Sequence, residues 1–113
     1  MIKIYHNPRC AKSRQGIAFL EEKGFDYEVI KYLENTLSVK ELKILLDQLD
    51  IKPIELIRKN EAIWKSDFKG KEFSNDELIE IMVKYPKLIE RPIVVHQNKA
   101  VIARPIENID NVL

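Results

Sequence analysis

The apolar residues of this chain change their spacing twice along its length, and that order restricts the folds open to it. Ile2, Ile4 and Tyr5 flank Lys3 in an alternating run that stops at His6-Asn7-Pro8, as a short strand does. From Ser13 the spacing becomes helical, with Ile17, Phe19 and Leu20 inward, and Gly24 stands where a C-terminal cap belongs. Tyr27, Val29 and Ile30 form a second strand. Two strands joined through one helix imply a parallel, right-handed βαβ unit.

About fifty residues of helical character follow. Ser38 and Glu41 have capping-box spacing ahead of Leu42, Leu45, Leu46 and Leu49, which make one apolar stripe. Pro53 suits the first turn of a short helix through Leu56 and Ile57, with Arg58 at or beyond its end. Lys65 to Phe73, mixed in charge and containing Gly70, reads as an exposed loop. Ser74 and Glu77 repeat the capping box before Leu78, Ile81, Met82 and Tyr85, and Pro86 ends that helix.

The spacing then turns β again. Ile93-Val94-Val95 and Ala100-Val101-Ile102 read as an antiparallel hairpin, with His96 a surface residue of its turn. Pro105 opens a last helix with Ile106, Ile109 and Val112 inward. The expected architecture is α/β: a four-stranded mixed sheet flanked by helices, with a helical insertion over about 36–90 between a β-α-β and a β-β-α half. At 113 residues, and with an insertion too short for a core of its own, a single domain spanning 1–113 is expected.

Composition excludes several classes of function. Nineteen basic against eighteen acidic residues leave a net charge of +1, which points to neither a nucleic-acid nor a membrane partner. No apolar run has the length of a membrane span and no signal peptide opens the chain, so a cytoplasmic location is expected. One cysteine allows no intramolecular disulfide, and two distant histidines offer no metal-ligand set. Lysine supplies 14 of the basic residues, so the five arginines (Arg9, Arg14, Arg58, Arg91 and Arg104) stand out. A guanidinium fork grips an oxyanion bidentately, which an ammonium cannot do.

Cys10 lies where a strand has ended and a helix is about to begin, where unpaired N–H groups and the helix dipole favour a thiolate. His6, Arg9, Lys12 and Arg14 lie within four residues of it. A lone cysteine is often a small core residue. One set in a loop among basic residues reads better as a nucleophile.

The segment from Tyr5 through His6, Asn7, Pro8, Arg9, Cys10, Ala11, Lys12 and Ser13 to Arg14 resembles the active-site loop of the glutaredoxin-coupled arsenate reductases, the ArsC family. Further blocks match in the same order: Lys31-Tyr32-Leu33-Glu34-Asn35, Leu56-Ile57-Arg58-Lys59-Asn60, Glu90-Arg91-Pro92-Ile93-Val94-Val95 and Arg104-Pro105. The resemblance implies a thioredoxin-like fold, Cys10 as nucleophile and His6 as a helper of its thiolate. It implies that Arg58, Arg91 and Arg104 bind arsenate or a related oxyanion, that Ser13 and Arg14 support the loop, and that Pro92 follows a cis peptide bond. It also implies glutathione as thiol co-substrate and glutaredoxin as partner, with no bound cofactor or metal. Two departures from the family pattern, Lys12 beside the cysteine and a chain ending at Leu113, bear on substrate more than on fold. Two alternatives remain at this point. One is a Spx-like regulator that binds RNA polymerase, though Ser13 stands where its redox-sensing members carry a second cysteine. The other is a thiol oxidoreductase of the same family without arsenate activity.

Overall fold

The computed structural model describes all residues, 1–113. Its contacts group the chain into two compact units, Met1–Asn35 with Arg91–Leu113, and Thr36–Glu90. The first contains the whole sheet. Strands β1 (Ile2–Tyr5), β2 (Tyr27–Ile30), β3 (Ile93–His96) and β4 (Lys99–Ile102) lie in the order β2-β1-β3-β4. β1 and β2 are parallel and joined by helix α1 (Ala11–Glu22), while β1–β3 and β3–β4 are antiparallel. This is the expected mixed sheet.

Alternation explains β1: Ile2 and Ile4 are buried and Lys3 is exposed. The two inner strands are β1 and β3, and the continuous run Ile93, Val94 and Val95 is buried throughout. Ile2, Ile4, Leu20, Val94, Ala103, Ile109 and Val112 form one apolar cluster, with Ile17, Phe19 and Ile106 packed against it. Helix α1 starts at Ala11, two residues earlier than its periodicity predicts, with Cys10 as N-cap. It ends as expected. Gly24 adopts φ +75°, and the N–H groups of Gly24 and Phe25 close on the carbonyls of Glu21 and Leu20.

Gly16 has a use that spacing does not reveal. A Cβ added there would lie 3.0 Å from Ile4 Cδ1 and 3.1 Å from Pro92 Cγ. The absence of a side chain therefore lets α1 lie close to β1 and to the loop before β3.

The C-terminal segment differs from its expectation in pitch. Ile106–Asn111 is a 3-10 helix, not an α-helix. The inward residues 106, 109 and 112 recur every three positions, the period of 3-10 geometry. His96 is not a plain surface residue. Its Nδ1 lies 2.6 Å from the Val112 carbonyl oxygen, so it ties the chain end to the hairpin.

The second unit contains helices α2 (Val39–Leu49), α3 (Pro53–Leu56) and α4 (Asn75–Lys84). Both capping boxes form: Ser38 and Glu41 exchange bonds of 3.0 and 3.1 Å, and Ser74 and Glu77 bonds of 2.8 and 3.2 Å. Leu42, Leu45 and Leu46 of α2 and Leu78, Ile79 and Met82 of α4 are buried. The expected loop from Lys65 instead continues a π-helical turn, Trp64–Phe68. Trp64, Phe68, Phe73 and Tyr85 form a ring cluster with centroids 5.7–6.4 Å apart. Trp64, Phe68 and Phe73 lie among charged residues, and Tyr85 joins them from the end of α4, so no single local period marks the cluster. No helix is long and apolar enough to cross a membrane.

Gly16→Val is expected to cost about 1–3 kcal/mol of stability in urea unfolding, because it overfills a closed contact. A variant as stable as wild type would show that α1 has room to move away from Pro92.

Candidate active site

Pro8 cannot continue β1, and Asn7 turns the chain with three of its own groups. Its N–H donates to Ser13 Oγ at 3.0 Å, its Oδ1 accepts the Arg9 N–H at 3.0 Å, and its carbonyl accepts the Cys10 N–H at 3.0 Å. Arg14 Nη1 donates to the Pro8 carbonyl at 2.8 Å, so Arg14 braces the loop from outside. The loop delivers Cys10 in an extended conformation, φ −95° and ψ 121°, at the N-terminus of α1.

The sulfur is half-buried. Burial alone would push its pKa up. The backbone N–H of Ser13, the guanidinium of Arg91, the backbone N–H of Lys12 and the Arg91 charge outweigh burial and hold the thiol below its ordinary value. No completed side-chain cap closes this helix end, so the N–H groups act as nearby dipoles. Arg104 Nη2 lies 3.4 Å from Cys10 Sγ and favours the thiolate in the same way.

Arg91 and Arg104 are held to each other as well as to the sulfur. Arg104 Nε donates to the Arg91 carbonyl at 2.6 Å, and the Ala103 N–H donates to the Pro92 carbonyl at 2.9 Å. The Arg91–Pro92 peptide is cis, and so is Arg104–Pro105.

His6 reaches this region through Ser13. Its Nδ1 lies 2.7 Å from Ser13 Oγ, and both residues are buried. Burial, then the charge of Lys31, push its pKa below the ordinary value; the Ser13 bond opposes this and Arg14 adds to it. The imidazole is therefore neutral at neutral pH. Ser13 Oγ also accepts the Asn7 N–H, so one hydroxyl bonds both the imidazole and the loop backbone. His6 thus acts on the loop by hydrogen bonding, not by the positive charge its place in the sequence implies.

Arg58 stands in the helical unit. Its N–H donates to the Leu88 carbonyl at 2.7 Å, and its guanidinium pairs with Glu61 at 3.7 Å and Glu90 at 3.6 Å. Arg9 and Lys12 are exposed. No three histidine, cysteine or carboxylate side chains gather as a metal-ligand cluster.

The sequence profile of the ArsC family matches residues 5–112. The chain belongs to the ArsC family. It is 40% identical over 114 aligned positions to an arsenate reductase of Neisseria meningitidis serogroup A, covering 99% of this chain and 97% of that one. It is 44% identical to the uncharacterized protein YfgD of Escherichia coli K12, over 96% of this chain and 92% of that one. An arsenate reductase structure from Vibrio cholerae superposes with a TM-score of 0.93 at 43% identity, over 99% and 97% of the two chains. That structure has the thioredoxin-like arrangement that the resemblance implies.

In this family member, spacing missed Asn7 and Gly16. Asn7 was legible only as a strand stop, because its bond to Ser13 depends on where α1 brings that hydroxyl back to the loop. Gly16 sits inside a helical run, and the close approach it permits is a tertiary fact.

Two outcomes are expected. Cys10 alkylation by iodoacetamide should climb with pH below the range of an ordinary thiol, near 8.5, and Arg104→Leu should move that climb upward. A wild-type profile at the ordinary value would contradict the donors described. For His6, the folded state binds its proton more weakly than the unfolded state does, so stability falls as pH drops through about 6.5. His6→Asn should flatten that part of the unfolding profile relative to wild type.

Proposed function

We propose that this chain is a cytoplasmic arsenate reductase in which the Cys10 thiolate attacks arsenate and glutathione with glutaredoxin supplies the electrons. The observation that carries the reading is the approach of guanidinium groups to a stabilised thiolate, with Arg104 3.4 Å from the sulfur. Arsenate is an anion at neutral pH, so a thiolate attacking it meets charge repulsion. Arg91 and Arg104, joined by Arg58, would offset that charge and supply donors to the oxygens. Arg58 takes this role by its place in the family blocks. The family relatives named arsenate reductase support arsenate as substrate.

In the first step sulfur bonds to arsenic and hydroxide leaves as water, with no change in oxidation state. A glutathione thiolate then attacks the Cys10 sulfur. The sulfur–arsenic bond breaks, its electron pair stays on arsenic, and arsenite departs as two sulfurs become a disulfide. Glutaredoxin resolves that disulfide at the expense of further glutathione. An external thiol is required because the chain has one cysteine and Ser13 at the position a second would occupy. His6 and Ser13 keep the loop in the shape that presents the sulfur. The two compact units are read as one ArsC-type domain with the helical unit as its insertion, since the family profile runs through both.

A coupled assay following NADPH oxidation with arsenate, glutathione, glutaredoxin and glutathione reductase tests the reading. Multiple turnover is expected there, and none with thioredoxin and thioredoxin reductase alone. A protein that cycles on thioredoxin alone, or that ignores arsenate in the full mixture, would overturn it. Replacing Arg58, Arg91 or Arg104 by lysine should each cost about 2–4 kcal/mol in kcat/KM, because the charge survives but the planar fork does not. Three lysine variants with wild-type turnover would make these arginines structural.

A further inference from the structure

We propose that Asn108 is a positioning residue of this site, holding Arg104 so that its guanidinium reaches the Cys10 sulfur. The inference rests on the reading of Cys10 as nucleophile. Asn108 lies on the C-terminal 3-10 helix, part-buried, and its amide nitrogen donates to the carbonyls of Ile102 and Arg104, both at 3.2 Å. One amide carries two hydrogens, so a single group makes both bonds.

Those two carbonyls bracket the bend at the end of β4. Within it the Arg104 N–H bonds the Ile102 carbonyl at 2.9 Å, and the Asn108 N–H bonds the Pro105 carbonyl at 3.0 Å. The Asn108 side chain therefore ties the bend to the helix that follows. The Arg104 side chain leaves from this bend, with Nε on the Arg91 carbonyl at 2.6 Å and Nη2 on Cys10 Sγ at 3.4 Å. A guanidinium is planar, so holding the backbone and Nε narrows the directions open to Nη2. Asn108 holds the backbone; Arg91 holds Nε.

The same segment has a second tie that does not involve Arg104. His96 Nδ1 meets the Val112 carbonyl at 2.6 Å, at the far end. Loosening that end serves as a control for loosening the segment in general.

The test compares the full-length wild type with Asn108→Ala, Asn108→Gln and His96→Phe. Cys10 is titrated by thiolate absorbance and by alkylation rate, alongside thermal unfolding and arsenate kinetics. Asn108→Ala should shift the thiolate midpoint upward and lower kcat/KM on the order of tenfold, as loss of a held charged donor would. Asn108→Gln keeps the donor and should recover part of both effects. His96→Phe should lower the melting temperature and leave the thiolate midpoint where wild type has it. The proposal is overturned if Asn108→Ala titrates as wild type does, or if His96→Phe moves the midpoint as far as Asn108→Ala. A wild type with no arsenate turnover would defeat the proposed function alone, and the thiolate comparison would still decide the role of Asn108.

Discussion

The close approach of α1 to Ile4 and Pro92 at Gly16 is the constraint on which the rest of the site depends. Cys10 caps the same helix, so where α1 lies decides where the sulfur is presented. Pro92 is bonded through its carbonyl to Ala103, the residue before Arg104, and Arg104 is bonded in turn to the carbonyl of Arg91. One contact without a side chain thus sets a helix end, a loop and a strand end against each other. Interiors are close-packed, so a displacement at this contact passes to its neighbours instead of being absorbed.

The electrostatics follow from that geometry. A half-buried sulfur would ordinarily stay protonated, since burial disfavours charge. Here it meets helix N–H groups and a guanidinium, and their sum reverses the direction. In the proposed reaction Arg91 and Arg104 would also serve the arriving anion, because donors fixed beforehand need no reorganisation as charge develops. His6 contributes differently. Neutral and buried, it adds rigidity to Ser13 and leaves the positive charge to the arginines.

Much of the fold was legible in local pattern. The alternation at Ile2–Tyr5, the β-branched runs at Ile93–His96 and Lys99–Ile102, and the two Ser/Glu capping boxes each produced the element their spacing indicates. These are short-range effects of side-chain period and of a cap reaching three residues along. The aromatic cluster of Trp64, Phe68, Phe73 and Tyr85 was not legible, since its pairs close over as many as 17 residues between Phe68 and Tyr85. His96 was misread for the same reason, its partner lying 16 residues away at Val112.

For the site, the sequence by itself determined the chemistry available: one thiol at a helix start, no second cysteine to resolve it, and five arginines in a lysine-rich chain. Those are counts and local positions, and no folding alters them. Only the tertiary structure decided which groups meet. Cys10 and Arg104 stand 94 residues apart in sequence and 3.4 Å apart in space. Arg91 joins them through a backbone carbonyl, and Asn108 enters through the bend that follows β4. The reason is physical. Period and capping act over one or two turns of chain, whereas a thiolate is stabilised by whatever donors packing brings within a few ångströms of it.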